Sequence, residues 1–219
     1  MKKHLKKLKN AGFTLAEMII VIAIFGVISS IALFDQARLS SSTLLTNMAY
    51  EVALAVREAQ LYGISVRSSE SGDFSQEAGM YVNIARPKEV LVYSNVASSD
   101  NPGFDAGIGE ERAQYVFSNQ RTNRIKAICV GNLETSGAPT EPCGPSAFSA
   151  VSELNVVFRR PNPVPTLWAG TGGSIEEKAG MRAYIVIDTG DGKHCKVVIV
   201  EPTGQTRIVD SSSGLCENS

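Results

Sequence analysis

The stretch GFTLAEMIIVIAIFGVISSIALF, residues 12–34, restricts what this chain can become more than any other. Residues 13–34 are 22 consecutive positions with one charge, Glu17. A helix needs about 20 apolar residues to cross the hydrocarbon of a bilayer, so the run is long enough to span it. Ahead of it lies MKKHLKKLKNAG, with five lysines and no acid. Lysine on one flank predicts that the amino terminus stays cytoplasmic and that the rest of the chain goes outside. A secretory signal peptide is the competing reading, and Ser30-Ile31-Ala32 offers it a small-x-small cleavage site. Its apolar region would be longer than the usual 7–15 residues or so.

Glu17 is costly in such a run. A carboxylate inside a membrane costs about 3 kcal/mol or more by itself, and such residues are usually paired and functional. No residue of opposite charge stands in the apolar stretch. A partner therefore comes from another chain or from a new amino terminus. Cleavage after Gly12 would expose the α-amine of Phe13. Within one helix that amine meets Glu17 poorly, whereas between staggered copies the geometry is good.

G-F-T-L-x-E, after a basic leader and before an unbroken apolar run, closely resembles the amino-terminal signature of type IV pilins and type II secretion pseudopilins. The resemblance implies that a prepilin peptidase cuts between Gly12 and Phe13 and methylates the new amino-terminal phenylalanine. It also implies that Glu17 neutralises the amine of a neighbouring subunit during assembly. Gly26 stands where many pilins have glycine, at a cost of ~1 kcal/mol of helix propensity relative to alanine. Phe34 stands where many have proline, so the kink that proline imposes is not expected.

Neither Pro nor Gly interrupts residues 27–62, and Gly63 reads as a helix stop. Leu44, Met48, Val52, Ala55, Ala59 and Tyr62 recur every three or four residues, forming a stripe to pack on a following domain. Ser40-Ser41-Ser42 is the one place where the helix could relax into a hinge. LTNMAYEVALAVREAQLYG further resembles the helix end of the H-type minor pseudopilins. Beyond Gly63 come GMYVNIA, EVLVYSN, AQYVFS, RIKAICVG, ELNVVFRR, RAYIVID, KVVIVE and QTRIV, divided by turn-forming clusters. This pattern predicts antiparallel strands rather than βαβ units. VVIVEPTGQTRIVD reads as a hairpin, and a closing hairpin is what H-type pseudopilins show. Residues 94–112 and 159–180 read as long loops, the second carrying the only tryptophan, Trp168.

The fold class expected is α+β: a long amino-terminal helix, half transmembrane and half amphipathic, packed on an antiparallel β-sheet head. The expected parts are a basic prepilin leader (1–12), the helix (13–62) and the β-rich head (63–219). Four cysteines, Cys129, Cys143, Cys195 and Cys216, all follow the apolar run and fit disulfides in an oxidising compartment. The simplest pairing in order is Cys129–Cys143 and Cys195–Cys216, although four cysteines allow three connectivities.

No catalytic set is expected. With His4 in the leader, His194 is the only other histidine, and its neighbour Cys195 points to the opposite face of a strand. The glycine-rich residues 170–174 lack the Lys-Ser/Thr ending of a phosphate loop. Asp188-Thr-Gly-Asp-Gly is not spaced as a calcium loop and reads better as a turn. No cofactor or metal is expected.

The chain has 21 basic and 22 acidic side chains; without residues 1–12 the balance is 16 to 22. An acidic body disfavours phosphate-backbone binding. Function then narrows to a minor pilin or pseudopilin subunit of a type II secretion or type IV pilus filament. Its partners would be the prepilin peptidase, other pilin or pseudopilin subunits, an inner-membrane assembly platform and the cytoplasmic membrane, with the head outside. The alternatives are a DNA-binding minor pilin, for which the carboxyl-terminal hairpin supplies Arg207 alone, and a signal-anchored or secreted β domain.

Overall fold

The structure, a computed structural model, describes residues 12–65, 77–95, 103–105, 111–117, 122–131, 143, 148–190, 192 and 194–210. At residues 32–41, 111–112, 148 and 162–163 it describes the backbone only. The basic leader up to residue 11 and Cys216 lie outside the described residues. The side chains of Phe34, Ser40 and Ser41 do too.

The chain divides into two compact units, Met1–Ser40 and Ser41–Ser219. One helix, α1 (Leu15–Ile64), contributes to both. In the first unit its side chains meet solvent around the whole circumference: residues 15–28 are all exposed. Among the described residues, no helix is long and apolar enough to cross a membrane. The described side chains of the apolar run end at Ile31.

In the second unit α1 becomes one-sided. Leu45, Met48, Ala49, Val52, Ala55, Val56 and Ala59 are buried. The expected stripe is thus present but rotated slightly, with Leu44 and Tyr62 only half-buried at its edge. Gly63 does not stop the helix, which continues to Ile64. A Cβ at Gly63 would come within 2.6 Å of the Phe158 Cβ and 2.8 Å of its carbonyl oxygen, so glycine here permits close packing. The helix is closed instead by Ser65, whose N–H donates to the Leu61 carbonyl (2.9 Å) and whose hydroxyl donates to the Tyr62 carbonyl (3.0 Å).

Eleven strands are described: β1 (Ala78–Asn83), β2 (Glu89–Ser94), β3 (Glu111–Val116), β4 (Arg124–Gly131), β5 (Phe148–Val151), β6 (Glu153–Arg159), β7 (Asn162–Thr171), β8 (Ser174–Glu177), β9 (Arg182–Asp188), β10 (Cys195–Val200) and β11 (Thr206–Asp210). They form a six-stranded sheet in the order β3-β2-β1-β6-β7-β8 and a five-stranded sheet in the order β11-β10-β9-β4-β5. Every described pairing is antiparallel. One face of each sheet joins the buried face of α1 in a single core. Met80, Val92, Val156 and Phe158 come from the first sheet and Ile128, Ile185 and Val198 from the second. The α+β class with antiparallel sheets is therefore as expected.

The second expected loop is a correction. Residues 159–180 hold two strands, β7 and β8, joined at Gly172 and Gly173, whose φ values of 71° and 85° suit a two-residue hairpin turn. Pro163 and Pro165 lie within β7, where proline removes a ladder donor. They are tolerated because β8 pairs only with residues 168–171, leaving the Pro165 stretch bonded on one side.

Candidate functional site

Gly12, Phe13 and Thr14 precede the first helical residue and are exposed, with Phe13 at 83%. The Gly12–Phe13 bond lies outside regular structure, and among the described residues nothing comes within 4 Å of a would-be Cβ at Gly12. Thr14 then starts α1. Its hydroxyl accepts from the Glu17 N–H (3.3 Å), while Glu17 Oε2 accepts from the Thr14 N–H (3.1 Å) and hydroxyl (3.0 Å). This is a reciprocal capping box, T-x-x-E, that satisfies donors otherwise orphaned at the helix start.

The stretch holds no residue of opposite charge to Glu17, and the structure adds a neutral partner. Thr14 holds the carboxylate, and the capping-box spacing was a signal that could have found it. Both donors are neutral, however, so the cap orients the charge without cancelling it. Among the described residues no cation pairs with Glu17.

About two and a half turns beyond Glu17 lies Gly26, with open space around it and its carbonyl accepting the Ser30 hydroxyl at 2.8 Å.

The other candidate residues belong to the second unit, Ser41–Ser219. Cys129 and Cys143 are joined in a disulfide with a Cα–Cα distance of 5.2 Å. Cys195 is also a disulfide cysteine; the expected partner, Cys216, is outside the described residues. His194 is exposed just before β10, where its carbonyl accepts from the N–H and hydroxyl of Thr189 at 3.1 and 3.3 Å. Asp188 is buried and already engaged: Oδ1 accepts from Arg124 Nε and the Gly190 N–H, both at 3.2 Å. Among the described residues, no three His, Cys, Asp or Glu side chains are grouped to hold a metal.

Trp168 is half-buried on β7, opposite Asn155 on β6, rather than on a loop. Phe104 from the first long loop rests on Tyr81 and Tyr93, with ring centroids 5.2 and 5.6 Å apart, and its N–H donates to Asn155 Oδ1 at 2.9 Å. In the closing hairpin, β10 to β11, the Arg207 guanidinium donates to Glu201 at 3.3 Å, and Arg182 donates to the same carboxylate. Hydrogen bonding to Glu201 holds the Arg182 pKa above its ordinary value.

With this geometry described, comparison with known proteins is specific to one segment. The prokaryotic N-terminal methylation motif matches residues 7–33. The chain therefore carries the amino-terminal segment of type IV pilin-like proteins, a class of structural subunits rather than enzymes. The motif implies processing by a prepilin peptidase and assembly with other pilin subunits. No curated protein and no solved structure matches the chain.

Proposed function

We propose that the chain is a minor pilin or pseudopilin subunit of a type II secretion or type IV pilus filament. A prepilin peptidase cuts it between Gly12 and Phe13 and methylates the Phe13 amine. The apolar half of α1 then holds it in the cytoplasmic membrane, with the head outside, until an assembly platform moves it into a filament. The observation that carries this reading is the methylation motif at residues 7–33, coinciding with an exposed, non-helical Gly12–Phe13 bond and a helix that opens on Thr14 and Glu17.

The physics follows from the unmatched charge. A carboxylate with neutral partners tolerates its position, but a cation improves it, because an ion pair in a low-dielectric setting is worth more than one in water. The free amine of Phe13 on an adjacent subunit is such a cation. A wrong stagger leaves Glu17 without it, so the residue sets register while the apolar side chains supply the attraction. The H-type resemblance rests on the helix end and the closing hairpin, and the head would contact other minor subunits or cargo.

Intact mass and amino-terminal sequencing of the protein from its native membrane test the reading. The expected chain begins at Phe13 and carries one added methyl group. A chain beginning at Leu33 would establish a secreted β domain, and one still beginning at Met1 a plain anchor; either result overturns the proposal.

A further inference from the structure

The six-stranded sheet has a second face, turned away from α1. Met80, Val156 and Leu167 point into the core shared with α1, so by strand alternation their neighbours Tyr81, Asn155 and Trp168 point the other way. Register sets these residues in one row across β1, β6 and β7, and Glu177 on β8 continues it. Glu153 precedes Asn155 by two residues on the same face, opposite Asn83.

The centre of this row is closed to water. Asn155 is 2% exposed, and Tyr81, Glu153 and Trp168 are half-buried. The Phe104 N–H can only donate, so the Asn155 atom it meets at 2.9 Å is the oxygen, which also accepts from the Tyr93 hydroxyl at 3.2 Å. That fixes the amide and leaves Nδ2 as a donor with no acceptor among the described residues. The Nε1 of Trp168, directly opposite, has none among them either. The Tyr81 hydroxyl accepts from Asn83 Nδ2 at 2.7 Å and keeps its own proton to donate. Glu153 Oε1 is buried without a donor among the described residues. Buried polar groups are paired in nearly all native structures, so a cluster of unpaired ones calls for a partner from outside.

The groups in the row select that partner's chemistry. An anion would meet Glu153 and Glu177 with like charge. A bare cation would use the carboxylates and leave the N–H and O–H donors unpaired, and an apolar ligand would leave every polar group unpaired. An extended peptide adds to the edge of a sheet through its backbone, whereas this is a face. A hydroxyl both donates and accepts. A sugar ring carries several hydroxyls around an apolar C–H surface that lies flat on an aromatic ring. Two strand spacings, about 10 Å, separate the backbone at Tyr81 from that at Trp168, which gives room for linked sugar rings.

We propose that the Tyr81–Asn155–Trp168 row, with Glu153 and Glu177, binds a neutral saccharide. Trp168 stacks on a ring, Asn155 Nδ2 and Trp168 Nε1 donate to its hydroxyl oxygens, and the glutamates accept its hydroxyl protons. The site belongs to the head alone and does not depend on the filament reading.

Trp168 is the only tryptophan in the chain, so its emission reports on this row. The full-length chain, in a polyoxyethylene detergent that has no sugar headgroup, is titrated with maltohexaose, cellohexaose and chitohexaose. At least one of them should shift the Trp168 emission saturably. Glu177→Ala and Glu153→Gln should each weaken that binding by about tenfold, the worth of a hydrogen bond to a charged group. Arg207→Ala, on β11 of the other sheet, should leave it unchanged. Trp168→Leu should abolish the heat of binding in calorimetry. Glu177 is exposed, so Glu177→Ala should melt at the same temperature as the unaltered chain, which separates lost binding from lost folding. No saturable shift with any of these sugars overturns the proposal. So does full affinity in both glutamate variants, and so does binding of dextran sulfate, a polyanion, in preference to the neutral sugars.

Discussion

The two halves of α1 are one helix in backbone terms and opposites in every other respect. In the second half one apolar stripe is covered by the β-sheets, and the opposite face, Leu54 and Leu61 included, is exposed. In the first half the apolar residues go all the way round, and the described side chains from Leu15 to Ile28 touch no core. A helix uniformly apolar and uncovered is not a stable object in water, so its environment has to come from elsewhere. The second half carries its environment with it. The chain thus divides into a unit with its own core and a unit without one, and α1 contributes to both.

The largest expected effect separates the halves completely. Glu17→Ala should leave the head's thermal stability unchanged and the Cys129–Cys143 bond intact, because the residue is exposed and belongs to no buried cluster. It should reduce the subunit in sheared filaments to background, since the register-setting charge is gone. The measurement is a comparison of membrane and sheared fractions. Normal incorporation of the alanine variant would show that the apolar surface alone sets the stagger.

A sharper comparison uses one substitution twice. Gly26→Ala adds a methyl into open space and gains up to ~1 kcal/mol of helix propensity. Gly63→Ala gains the same propensity but drives its Cβ into Phe158, and overpacking of this kind typically costs about 1–3 kcal/mol. Opposite signs are expected: higher helicity of the full chain in detergent for Gly26→Ala, and a lower melting temperature of the head for Gly63→Ala. If Gly63→Ala stabilises the head, the close approach of α1 to β6 is not as tight as described.

What could be read from the sequence follows the same division. The amino-terminal segment was legible because its constraints are local. A lysine cluster, a length of apolar residues and a single acid act through spacing along the chain. The part that escaped, the Thr14–Glu17 cap, was also local. It was obscured because the cost of a membrane carboxylate drew the reading toward outside partners. In the head, eight strands were legible from β-rich runs, and their order in two sheets was not. Pairing β1 with β6, or β4 with β9, depends on contacts between segments far apart in sequence. β7 was hidden by Pro163 and Pro165, because whether proline is allowed depends on which neighbour a strand lacks. Gly63 showed the same limit: a glycine that ends helices in local terms is held inside one by Phe158, about a hundred residues away.

The smallest effect tests whether the head grips α1 at its edge as well as through its core. β3 is the outermost strand of the six-stranded sheet, and the Tyr115 hydroxyl donates to Glu58 on α1. Ionising that phenol would place a second negative charge against the carboxylate. Hydrogen bonding to Glu58, with burial and the Glu58 charge adding to it, therefore pushes the phenol up to about 12 from an ordinary value near 10. The folded value is the raised one. The contact therefore contributes fully below pH 10, fades between 10 and 12, and is absent above. Tyr115→Phe should lower the head's stability by ~1 kcal/mol at neutral pH, the usual net worth of such a bond. The deficit should close as pH rises through 12, and the variant should lose one late step from the phenolate absorbance titration. A deficit that stays constant across that range would mean that the ring packs against α1 while its hydroxyl contributes nothing.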